Sequence, residues 1–118
     1  MKMPRQRDHR HRDALHIAFI KTLPCLTCVT PEHSDAHHLK PAYPRLGKPP
    51  SGTLKAGDQW TVPMCRPCHT HLHDYGDEMT YWQVKDIEPF SIALALFAPG
   101  DWERAVEIIG EVGYRRQT

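Results

Sequence analysis

No stretch of this 118-residue chain approaches the roughly 20 consecutive apolar residues that a membrane-spanning helix needs. No membrane partner is therefore expected. Nor does a charged-then-apolar signal segment open the chain, since Met1 to Arg12 is polar and basic in character. That absence predicts a cytoplasmic protein, in a compartment where thiols stay reduced. There is no internal repeat and no low-complexity tract. Net charge is only +1, and a hydrophobic content of 40% with 25% charged residues is ordinary for a globular domain.

What is there is unevenly placed. Residues 1–73 carry eleven Lys and Arg against five acids, whereas residues 74–118 carry four against nine. The basic part suits a polyanion such as nucleic acid, although charge at a terminus also serves solubility. The basic part also holds all four cysteines, in the pairs Cys25-Leu-Thr-Cys28 and Cys65-Arg-Pro-Cys68. A histidine pair, His37-His38, lies between them, and His69, His71 and His73 follow the second pair directly.

The chain divides into a basic arm over residues 1–12 and one domain over residues 13–118, with a core at 23–76 and a helical tail at 77–118. Arg5 to Arg12 has no apolar residue, so the arm is expected to lie exposed. Leu15, Ala18 and Phe19 recur at helical spacing, and Pro24 blocks continuation, which predicts a helix over 13–22. Residues 34–40 read as a strand. The proline- and glycine-rich stretch 41–57 reads as a loop, and residues 59–64 alternate as a return strand. Pro67 suits the first position of a helix that carries the histidines and stops near Gly76. The tail predicts helices near 78–85, 89–98 and 101–111. Phe90, Leu94 and Phe97 share one face there, as do Trp102, Val106 and Ile109. The aromatic residues Tyr81, Trp82, Phe90, Phe97 and Trp102 read as core.

Two thiolates of a Cys-x-x-Cys turn converge on one ion, and two such knuckles close a tetrahedral site whose usual occupant is Zn2+. Cys25, Cys28, Cys65 and Cys68 are therefore the expected ligands of a structural zinc, with a disulfide as the alternative. The 36 residues between the pairs must form a folded insert. A C2H2 finger is excluded, because its run of about twelve residues before the histidines is missing.

On a helix His69 and His73 share a face and can bind one ion together, whereas His71 points elsewhere. His37 and His38, adjacent on a strand, face opposite ways, which suits one to a metal and the other to a substrate. Satisfied structural histidines are the bland alternative. Neutral imidazole binds Zn2+, Ni2+, Co2+ or Mn2+, and its ordinary pKa near 6.5 suits a general base. Arg45, Lys48 and Arg66 are candidate phosphate contacts, or simply solvated cations.

The order knuckle, Asp35-Ala-His-His-Leu-Lys40, loop, Trp60-Thr-Val-Pro-Met-Cys65, knuckle, and helix with His71-Leu-His73, followed by Gly76-Asp-Glu78 and Tyr81-Trp82, resembles the HNH endonucleases. This is the ββα-metal or His-Me finger class, and the likeness over residues 23–98 is to small phage and prophage HNH proteins of undefined role. The resemblance implies a small α+β fold, a β-hairpin plus helix stapled by structural zinc and flanked by helices. It also implies a bacterial or phage-encoded source. The implied activity is metal-dependent hydrolysis of DNA phosphodiesters, leaving a 5'-phosphate and a 3'-hydroxyl, with low sequence specificity because no base-reading module accompanies the core. By the same resemblance His38 is the general base. His37, His69 and His73 hold a catalytic divalent cation (Mg2+, Mn2+, Ni2+, Co2+ or Zn2+). The partner is nucleic acid, double-stranded DNA first, with RNA, a homodimer contact and a phage or host protein partner left open. One departure matters. Where the pattern has its middle Asn, this chain has Trp60, and Asp58 or Gln59 must stand in. Asp58 is preferred, because a carboxylate can accept the imidazole N–H. The alternative function is a non-catalytic, zinc-stabilised module that binds DNA or protein.

Overall fold

A two-stranded hairpin is marginal in water by itself, so its stability here depends on what covers it. The computed structural model describes residues 12–31, 33–50, 57–97 and 101–117. In it, β1 (Asp35–His38) pairs antiparallel with β2 (Thr61–Met64), with Asp35 opposite Met64 and His38 opposite Thr61. Among the described residues five helices accompany the hairpin: α1 (Ala14–Lys21), α2 (Arg66–Tyr75), α3 (Glu78–Lys85), α4 (Pro89–Phe97) and α5 (Trp102–Gln117). The protein is thus a small α+β fold. Helix α1 packs on both strands, α4 packs on β2 and the turn before it, and α2 packs on β1 and α3. Among the described residues no helix is long and apolar enough to cross a membrane.

The elements start and stop for local reasons. The side chain of Asp13 accepts the His16 N–H at 3.0 Å and caps α1. Cys65 is the N-cap of α2, so Pro67 takes the second helical position, where its missing N–H still costs nothing. Gly76 ends α2 at φ +95°, ψ −53°, a backbone that side chains rarely adopt. The carboxylate of Asp77 then accepts the Thr80 N–H and caps α3.

One apolar cluster runs through the molecule, from Ile20, Leu23 and Leu26 through Val62, Met64 and Leu72 to Trp82, Phe90 and Ile109. Its details correct the periodicity reading in several places. Helix α1 turns His16 and Ile20 inward and leaves Leu15 85% exposed. The His16 ring meets Phe97 edge-on at 4.9 Å, which rotates the helix by about one residue (roughly 100°) from the Leu15 face. Phe90, Ala93 and Leu96 form the buried face of α4, and Leu94 is only half-buried. On α5 the buried residues are Ala105, Ile109 and Val112, while Trp102 is 51% exposed and is not core. That helix also runs on to Gln117, well past residue 111. The return strand is shorter than its alternation suggested, because Asp58–Trp60 forms a 3-10 turn before β2. The loop holds a second such turn, Pro44–Leu46, closed by a bridge between Tyr43 and Lys48. Of the basic arm, only Arg12 falls within the described residues.

Candidate metal centre and histidine–carboxylate site

One cysteine pair precedes β1 and the other follows β2, whose ends meet at the Asp35–Met64 pair. Cys25 and Cys28 sit on a turn in which Val29 N–H donates to the Cys25 carbonyl at 2.8 Å and Cys25 N–H to Thr30 at 3.0 Å. These bonds hold Val29 at φ +60°, a costly backbone for a β-branched residue. Leu26 N–H donates to the Pro63 carbonyl at 2.8 Å and so docks the turn on β2. Cys65 and Cys68 lie at the start of α2. All four sulfurs fall within 4.8 Å of one another.

The thiols are free, and Cys28 Sγ lies 3.7 Å from Cys65 Sγ. A disulfide would require about 2.05 Å. The edge of a tetrahedron with Zn–S bonds of 2.3 Å is about 3.8 Å. Burial, followed by the neighbouring thiols, pushes Cys68 far up, and burial also raises Cys65. Burial acts upward on Cys28 as well, but the hydroxyl and amide of Thr30 outweigh it and bring Cys28 to about 7. Thiols crowded in this way cannot ionise together unless a cation lies among them. The donor set fits a structural metal such as zinc.

The second cluster is built from β1 and α2. Strand alternation turns His37 inward, to 3% exposure, and His38 the opposite way. His37 Nδ1 faces His69 Nε2 at 3.1 Å, and the His69 and His73 rings lie 4.7 Å apart, one helical turn from each other. One ligand atom from each of the three can be chosen so that all lie within 4.8 Å. Imidazoles on a tetrahedral ion with bonds near 2.05 Å would place their nitrogens about 3.3 Å apart, so the spacing also fits an ion. His73 is exposed, which leaves this cluster open to solvent where the cysteine cluster is closed.

Carboxylates flank the triad. His69 Nδ1 donates to Asp35 Oδ2 at 2.9 Å, and the exposed Arg66 reaches the same oxygen at 3.2 Å. His37 Nε2 donates to Glu78 Oε2 at 2.7 Å. Trp82 Nε1 donates to that oxygen at 3.1 Å, and Lys40 N–H to Oε1 at 3.4 Å. Burial alone would raise Glu78, but the hydrogen bonds from His37, Trp82 and the Lys40 amide outweigh it and hold its carboxyl below the usual range.

His38 has its own partner. Its Nε2 donates to Asp58 Oδ1 at 2.8 Å, and Asp58 Oδ2 accepts the backbone N–H of Asp13 at 2.7 Å. Burial pushes Asp58 up, but the hydrogen bonds from the Asp13 amide and His38, with the charge of Arg12, outweigh it and depress its pKa. Trp60 is buried in the core, and the Oε1 of Gln59 is buried without a hydrogen-bond partner. Of the two residues weighed as replacements for the missing Asn, the one that meets His38 is Asp58.

A family model described as "Protein of unknown function (DUF968)" matches residues 1–86. The chain belongs to the DUF968 family. No curated protein and no solved structure matches it. The DUF968 match spans both cysteine pairs, the three histidines, Asp35, His38, Asp58 and Glu78, and leaves α4 and α5 outside.

Within this DUF968 chain the candidate phosphate contacts fare differently. Arg45 is exposed on its 3-10 turn, and Arg66 is exposed but paired with Asp35. Lys48 is only 2% exposed, and its ammonium donates to the Lys40 and Pro49 carbonyls at 3.3 Å. Burial lowers its pKa, against the opposing pull of Glu78. It braces the loop, and its charge is not offered to solvent. His71 meets Tyr75 and Tyr81 edge-to-face and is not part of the triad. Asp35 and Glu78 were not assigned from sequence. For Asp35 a signal existed, since it precedes His37 by two on a strand and therefore shares its face.

Proposed function

We propose that this protein is a metal-dependent endonuclease that hydrolyses DNA phosphodiester bonds with little sequence preference. The observation that carries the reading is the pairing of His38 with Asp58 on one face of β1, while His37 joins His69 and His73 on the other. Adjacent residues thus serve two chemical tasks.

The ionised Asp58 can only accept, so it fixes the proton of His38 on Nε2 and leaves Nδ1 as the basic nitrogen. A water molecule gives its proton to Nδ1 as its oxygen bonds to phosphorus, and the bond from phosphorus to the 3'-oxygen breaks, the leaving oxygen taking a proton from solvent. The products are a 5'-phosphate and a 3'-hydroxyl. His37, His69 and His73 would hold a divalent cation, which would supply Lewis-acid stabilisation of the charge that develops on the phosphate and the leaving oxygen. Three imidazoles favour Zn2+, Ni2+ or Co2+ over Mg2+, which prefers oxygen donors. Arg45 and Arg66, both exposed, are the candidates for contact with backbone phosphates, and binding through them would be salt-sensitive. A structural zinc on the four cysteines would keep the hairpin and α2 in register.

A second reading, a non-catalytic zinc-stabilised module that binds DNA or protein, draws on Trp60 at the position of the expected Asn. Incubating supercoiled plasmid with the protein and each of Mg2+, Mn2+, Ni2+, Co2+ and Zn2+ separates the two. Nicking by the parent and none by His38→Ala is expected. Retained DNA binding without nicking under any ion would favour the binding module, and nicking by His38→Ala would remove His38 from the chemistry.

A further inference from the structure

We infer that Asp35 and Glu78 are positioning residues that make the adjacent-strand and helix histidines bind through opposite ring nitrogens, His37 through Nδ1 and His69 through Nε2. The inference rests on the reading of the three histidines as ion ligands, and is independent of whether the ion serves hydrolysis.

A neutral imidazole carries one N–H and one lone pair, and a carboxylate can only accept. Glu78 at 2.7 Å therefore takes the N–H of His37 Nε2, which leaves the lone pair on Nδ1. Asp35 at 2.9 Å takes the N–H of His69 Nδ1, which leaves the lone pair on Nε2. Those two lone-pair nitrogens are the ones that face each other at 3.1 Å. Two acceptors at that separation repel unless a cation lies between them, and a bound divalent ion meets that need. The carboxylates also make each imidazole a stronger donor by drawing on its N–H.

The supports are themselves held. Asp35 lies between His69 and Arg66, and Glu78 receives the indole of Trp82 and the amide of Lys40. Glu78 and Trp82 both come from α3, four residues apart on one face. The orientation of His37 therefore comes from α3, outside the hairpin and helix that supply the ligands, and that of His69 from Asp35 on β1.

The test is long-range 1H–15N correlation of the imidazoles in the full-length protein, with zinc on the cysteines and Zn2+ added to the histidines. The expected spectrum shows His37 coordinated at Nδ1 with Nε2 protonated, and His69 coordinated at Nε2 with Nδ1 protonated. Coordination of His37 through Nε2 would overturn the inference and leave the metal site standing. A parent that takes up no ion at these histidines would overturn the inference together with the metal-site reading. Calorimetric titration with Ni2+ supplies the second readout. Asp35→Asn and Glu78→Gln should each weaken binding about 10- to 100-fold while the cysteine site keeps its zinc. Parent-like Ni2+ affinity in both variants would overturn the inference.

Discussion

Replacing Asp58 with alanine removes one carboxylate that serves two unlike donors. Oδ1 accepts from His38 at 2.8 Å and Oδ2 from the Asp13 N–H at 2.7 Å, the backbone amide of the residue that caps α1. A hydrogen bond to a charged group contributes about 1.5–3 kcal/mol, and the low end applies because His38 and Asp58 keep some contact with water. The variant should lose about 2–3 kcal/mol, which for a domain of this size lowers Tm by about 6–12 °C. Because the pKa of folded Asp58 is depressed, its contribution is complete above the unfolded carboxylate value near 4 and is lost as pH falls through the folded value. Denaturation of parent and variant followed by circular dichroism should therefore show a gap that is full at pH 7 and narrows below pH ~4. Nicking should fall by about 10²-fold, because His38 loses the group that fixes its tautomer. Equal stability at pH 7, or a gap unchanged down to pH 3, would refute the argument.

Stripping the cysteine site should unfold the hairpin region. Structural zinc contributes roughly 10–16 kcal/mol in small zinc modules, as large as the whole net stability of a typical domain. A melt with a strong zinc chelator, or of Cys65→Ser, should lose its cooperative transition. Trp60→Asn, which restores the residue type expected from the HNH resemblance, should cost about 3–5 kcal/mol of core packing and yield no gain in nicking, because Asp58 already meets His38. Denaturant midpoints and the plasmid assay check the two halves of that statement. Gly76→Ala should destabilise by about 1–3 kcal/mol through its backbone alone, since an added Cβ there meets nothing within 4 Å. A Tm equal to the parent's would show that the turn relaxes.

Chemistry confined to short spacings was legible in the sequence. The cysteine pairs, the one-turn step from His69 to His73, and the opposed facings of His37 and His38 follow from two-residue and four-residue geometry. Helix α3 falls on the 78–85 expected from the sequence. What escaped depended on packing between distant segments. The inward face of α1 is set by contact of His16 with Phe97, some eighty residues on, and periodicity ranked Leu15 above a histidine. Lys48 read as a surface cation because nothing local announces that the Lys40 and Pro49 carbonyls enclose its ammonium. Glu78 lies beyond the chain reversal at Gly76, so no spacing rule links it to His37, 41 residues earlier.

The central claim is that cysteines and histidines form separate sites, one closed and structural, the other open and reactive. Native mass spectrometry of the zinc-loaded full-length protein tests it most directly. Two ions per chain are predicted. His37→Ala and His73→Ala should each lose one ion and keep a cooperative fold, whereas Cys65→Ser should lose the ion that the chelator removes last. A single ion per chain, lost alike on substitution of a histidine or a cysteine, would contradict the account.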